Sequence, residues 1–165
     1  MQARVRALGH PVHPMLIVFP LGLFVTAVIF DLIHLASDNE VFGQVGYWNI
    51  VAGIIGALLA AATGLADWSK IPRDTRAKRI GLLHGAANTA VLLLFVLVWA
   101  LRSNNQEHTL SAGLFVVEVL ALAIAGVAAW LGGELVDRLG IGVDDDAHPD
   151  APSSLGTGAA ARTRR

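Results

Sequence analysis

The sequence predicts an all-α membrane protein, an antiparallel bundle of four transmembrane helices with both termini cytoplasmic. Three observations carry that expectation. The chain is 55% hydrophobic and only 15% charged over 165 residues, a balance far from that of a water-soluble domain. Four apolar runs, over 15–34, 50–66, 80–101 and 110–133, are long enough at about 1.5 Å per residue to cover a hydrocarbon core of about 30 Å with interfacial ends. Positive charge is one-sided. Arg4 and Arg6 precede the first run; Lys70, Arg73, Arg76, Lys78 and Arg79 lie between the second and third; Arg138, Arg162, Arg164 and Arg165 follow the fourth. Only Arg102 falls on the other side, and flanks rich in Lys and Arg stay in the cytoplasm.

Tryptophan agrees with this topology, because its amphipathic ring prefers the headgroup level. Trp48 and Trp99 fall at the outer boundary, Trp68 and Trp130 at the inner one. A cell or inner membrane location, multi-pass and in contact with the lipid bilayer, follows. The net charge of -1 gives no electrostatic reason to expect nucleic acid as a partner. Cysteine is absent, which excludes disulfides, thiolate metal sites and cysteine nucleophiles, so His, Asp and Glu must carry any metal chemistry.

Taken in order, residues 1–13 form a short arm containing His10-Pro11-Val12-His13-Pro14. Pro14 suits a first helical turn and makes His13 a helix cap, while Pro20 lies inside the first span and should kink it. The first span is too long for a signal-peptide core and lacks a clean small-x-small cleavage site, so it reads as retained. The outer connections, 35–49 and 102–109, are too short to fold alone. Gly56, Ala60 and Gly64 in the second span, with Gly53 a turn earlier, and Ala121, Ala125, Ala129 and Gly132 or Gly133 in the fourth are small-residue stripes that let helices approach closely. The transmembrane domain closes near residue 142. Residues 143–165, opening on Asp144-Asp145-Asp146 and continuing in Pro, Ser, Gly and Ala, read as a disordered cytoplasmic tail.

Ionisable groups collect at the cytoplasmic ends of the spans: His10, His13, Asp67, His84 and Glu134. Histidines stand at helix N-termini and acids at helix C-termini, against the helix dipoles. The dipoles favour the neutral imidazole at His13 and His84, the form that ligates metals, and leave the acids in need of donors or cations. Asn88, one turn after His84, can orient that imidazole or bridge helices. Asp67 can equally pair with Arg73 or Arg76, and Glu134 can be an ordinary solvated turn residue. Within the membrane, Asp31 and Glu118 need partners; His34 and His108 stand near enough in sequence to the outer end to meet Asp31.

The segments HPVHPMLIVFPLGLFVTAVIFDLI, GLADW, KRIGLLHGAAN and GGELVDRLGIGV resemble a bacterial four-span family of predicted membrane proteins, domain of unknown function 2231. The resemblance covers about residues 8 to 143. It implies the four-span fold and points to His10, His13, Asp31, Asp67, His84 and the Gly132-Gly133 turn; it implies no activity. The chain departs from the family pattern at Asp137, where an aromatic is usual.

Two function classes compete on these residues. One is a cofactor-binding bundle in electron transfer: haem b held by His13 and His84 with Asn88 beside them, or a divalent metal held by His10, His13, Asp67 and His84. The other is a non-catalytic subunit or scaffold whose polar cluster locks helix register. A proton or ion path past Asp31 and Glu118 is a further alternative, and a homo-oligomer or a redox partner would suit either bundle. No phosphate loop, nucleophile elbow or dinucleotide fingerprint is present.

Overall fold

The computed structural model describes residues 1–104 and 107–155. A two-strand hairpin opens the chain, β1 (Arg6–Ala7) against β2 (His10–Pro11). Gly9 turns it at φ +85°, a conformation that favours glycine. Five α-helices follow: α1 (Val12–Leu16), α2 (Val18–Ser37), α3 (Glu40–Lys70), α4 (Arg76–Ser103) and α5 (Ala112–Gly133). A single π-helical turn, Glu134–Arg138, extends α5.

Four of these helical stretches are long and apolar enough to cross a membrane: Val12–Ser37, Glu40–Lys70, Arg76–Ser103 and Ala112–Arg138. The first three outrun their apolar stretches at both ends, and the fourth does so at its C-terminal end alone. The largest extension corrects the expected 35–49 connection. Only Asp38 and Asn39 separate α2 from α3, and residues 40–49 are helical. Asp38 takes φ 52°, and the Asn39 side chain caps α3 by accepting from the Val41 N–H at 3.0 Å. Thr75 and Ser111 cap α4 and α5 in the same way, through the amides of Lys78 and Leu114.

Pro20 acts as its position predicts. It lacks an N–H and crowds the carbonyl four residues earlier, and the first membrane-crossing stretch is interrupted at Ile17 between α1 and α2. His13, expected as a cap, lies inside α1, whose N-cap is Pro11.

The core is narrow. Phe24, Ala27 and Val28 of α2 meet Ile50 of α3, Val91, Phe95 and Val98 of α4, and Ala121 of α5. At its centre Phe24 and Phe95 stack with ring centroids 4.0 Å apart and planes 3° from parallel. Gly53 makes room for that stack, since a Cβ there would lie 2.5 Å from Phe24 Cε1. The outward faces stay apolar: Leu21 and Ile29 on α2, Leu58 on α3, Leu93 on α4 and Val127 on α5 are all exposed. Apolar surface on every side suits hydrocarbon and not water.

Candidate functional site

Polar residues meet at both ends of this core, and the two sets differ in kind. At one end, here the histidine end, α1 and α4 bring His13 and His84 together with ring centroids 6.4 Å apart and planes at 85°. Each ring is held by the same device. His13 Nδ1 lies 2.8 Å from the carbonyl of Ala60 on α3, and His84 Nδ1 lies 2.9 Å from that of Ala128 on α5. A helical carbonyl only accepts, so each Nδ1 is the donor in its contact.

The small residue one turn beyond each carbonyl provides the space. A Cβ on Gly64 would lie 2.8 Å from His13 Cε1, and one on Gly132 would lie 3.1 Å from His84 Cε1. The two stripes read as packing therefore also seat the imidazoles. Asn88 donates to the His84 carbonyl at 2.9 Å and reaches His84 Nε2 at 3.3 Å.

The remaining candidates of this end are engaged elsewhere. Asp67 Oδ1 accepts from the backbone amides of Arg4 and Val5 at 2.6 and 3.1 Å, so it anchors the arm and does not pair with Arg73 or Arg76. His10 is exposed, with Nε2 3.2 Å from Ser154 Oγ. Glu134 is not an ordinary solvated turn residue: Arg76 Nη2 lies 2.5 Å from its Oε1. The Gly132-Gly133 turn is helical and passes into the π-helical turn. Among the described residues no group of three or more His, Asp or Glu side chains is arranged to hold a metal ion. Of the donor set His10, His13, Asp67 and His84, the structure brings His13 and His84 together.

The opposite end, here the arginine end, holds a buried ionic cluster. Arg102, expected as the one cation of an outer connection, is instead helical and fully buried, as are Asp31 and Glu118. Its Nη1 lies 2.7 Å from Asp31 Oδ2, and its Nη2 donates to Asp31 Oδ1 at 3.1 Å and to the Gly43 carbonyl at 2.7 Å. Nε donates to the His108 carbonyl at 3.0 Å. Gly46 is required here, because a Cβ would overlap the Asp31 carboxylate. Glu118 Oε1 lies 3.5 Å from Arg102 Nη1, yet among the described residues no donor hydrogen-bonds to either Glu118 oxygen. His34 and His108 turn their Nδ1 atoms to the carbonyls of Asn39 and Arg102, at 3.1 and 3.2 Å, and His108 stacks on Tyr47 at 3.8 Å.

The ion-pair partner of Asp31 is Arg102, where the sequence offered His34 and His108. A signal for the correct one exists. His13, Phe24 and Asp31 follow one another at intervals of eleven and seven residues, and so do His84, Phe95 and Arg102. Each member meets its counterpart: imidazole with imidazole, ring with ring, carboxylate with guanidinium.

Four apolar helices make the chain a multi-pass membrane protein. No curated protein and no solved structure matches it. A family profile described as "Predicted membrane protein (DUF2231)" matches residues 9–145, which contain both polar clusters, and the chain belongs to that family.

Proposed function

We propose that the protein is an antiparallel four-helix bundle with both termini cytoplasmic, and that it carries a single haem b between His13 and His84 for electron transfer at the cytoplasmic end. The observation that carries this reading is the His13–His84 pair, centroids 6.4 Å apart with each Nδ1 bonded to a carbonyl of a neighbouring helix. Fixing Nδ1–H on a carbonyl orients the ring and raises the basicity of the other nitrogen, the usual support for a ligating histidine.

The number of donors favours haem over a bare divalent ion. A structural or catalytic divalent site takes three or four protein ligands, whereas Asp67 and His10 are held by other partners. Haem supplies four nitrogens of its own and asks the protein for one or two axial ligands. When bound, the haem would cycle between ferric and ferrous iron and pass one electron to a redox partner.

Absorption spectroscopy tests this. Protein purified after expression with ample haem is expected to show a Soret band, and on reduction the sharp visible bands of low-spin bis-imidazole iron. His13→Ala and His84→Ala should each lose them. No Soret band in wild-type protein, with metal analysis also empty, would leave the scaffold reading: both substitutions then lower thermal stability and release nothing.

A further inference from the structure

We infer that Glu118 is a proton-binding site, holding one exchangeable proton inside the buried cluster at the arginine end. The argument is independent of the histidine pair. Arg102, Asp31 and Glu118 are each fully buried, so one guanidinium faces two carboxyl groups out of reach of water. Ionised together they would carry a net negative charge where an uncompensated charge is prohibitively expensive. The cluster is neutral when one carboxyl is protonated.

Geometry identifies which one. Asp31 takes two hydrogen bonds from Arg102, at 2.7 and 3.1 Å, the fork that suits an ionised carboxylate. Glu118 takes none from a donor: among the described residues no N–H or O–H reaches either oxygen, and the Arg102 Nη1 cation is 3.5 Å away. A protonated Glu118 has what that position lacks, an O–H able to donate toward the neighbouring Asp31 carboxylate.

The charged and titratable groups around the cluster are Asp31 and His34 on α2, Tyr47 on α3, Arg102 on α4 and His108 on the connection before α5. His108 is half-buried and so the most exposed of these groups, while His34 is 7% exposed. Loss of the proton would set Glu118 in competition with Asp31 for Nη1, which already lies between them. Proton binding would then decide which helix, α2 or α5, Arg102 holds.

Infrared spectroscopy of the full chain in lipid reads this directly. Wild-type protein at neutral pH is expected to show a carboxylic-acid C=O stretch that downshifts in D₂O. Labelling Glu with ¹³C should move the band and labelling Asp should not, and neither label disturbs folding. Glu118→Gln should remove the band. No acid band at neutral pH, a band that moves with Asp labelling, a band that persists in Glu118→Gln, or a band blind to D₂O would each overturn the assignment.

Discussion

Arg102 ties α4 to α2 and α5 from a fully buried position, one guanidinium set against the Asp31 and Glu118 carboxyls. A lone cation between two apolar spans reads as a loop charge, because hydropathy scores each side chain against lipid and cannot see a partner seventy-one positions away. The equal spacing of His, Phe and charge in two spans did contain the pairing, since parallel positions meet at equal depth. Burial makes Arg102 costly to disturb. Arg102→Ala would strand two carboxyls, and breaking a buried pair from one side typically costs about 3–5 kcal/mol. Removing all three groups together, as Asp31→Leu, Arg102→Met and Glu118→Leu, leaves no buried charge and deprives only the Gly43 and His108 carbonyls of a donor, so it should recover most of that loss. Thermal unfolding in detergent micelles checks both: a large drop for the single variant and a midpoint near wild type for the triple. Equal losses would show that the cluster contributes more than mutual neutralisation.

At the scale of elements, the apolar runs made all four membrane helices legible, while their ends were not. Glu40, Gln44 and Asn49 dilute the start of α3 below membrane hydropathy, so a helix capped by Asn39 passed for a loop. The cap itself was the available signal. The small-residue stripes were legible as packing, but their second use was hidden, because a glycine opposite an imidazole looks the same in sequence as a glycine opposite a methyl group. Substitution separates these uses by sign. At Gly64 a Cβ would meet His13 Cε1 at 2.8 Å, while at Gly85 nothing lies within 4 Å. Gly64→Ala should therefore push the His13 ring off the Ala60 carbonyl and destabilise the fold by about 1–2 kcal/mol, the range for a buried hydrogen bond with overpacking. Gly85→Ala should be neutral or stabilise by up to about 1 kcal/mol through helix propensity. Thermal midpoints, with the imidazole Nδ1–H resonances by NMR, distinguish the two outcomes.

For the molecule as a whole, the inequality of its two ends was legible, and what covers the histidine end was not. Composition assigns 143–165 to a disordered tail, of which 156–165 lie outside the described residues. The described part, 143–155, lies against the arm. Arg6 forms a forked ion pair with Asp144 at 2.7 and 3.0 Å, the Met1 ammonium stands 3.5 Å from Asp145, and Ser154 donates to the Leu8 carbonyl at 3.2 Å. Asp67, reaching the arm from α3, completes a strap across that end. Its ion pairs are part-exposed, so each is worth only about 0.2–1 kcal/mol. The strap should therefore respond to pH before the membrane core does. The hydrogen bond from Arg6 holds the Asp144 carboxyl below the usual carboxylate range, outweighing its slight desolvation, with the Arg6 charge adding to the effect. A carboxyl depressed in the folded state contributes stability above its unfolded value, about 4, and loses it as pH falls toward the folded value. The chain has no native cysteine, so spin labels at Leu8→Cys and Leu155→Cys report on the strap alone. A narrow distance distribution is expected at pH 7, broadening as pH drops below about 4 and already broad at pH 7 in Asp144→Asn. A distribution unmoved by acid and by Asp144→Asn would mean that the backbone contacts, Gly142 N–H to the Met1 carbonyl at 2.9 Å among them, hold the strap without its charges.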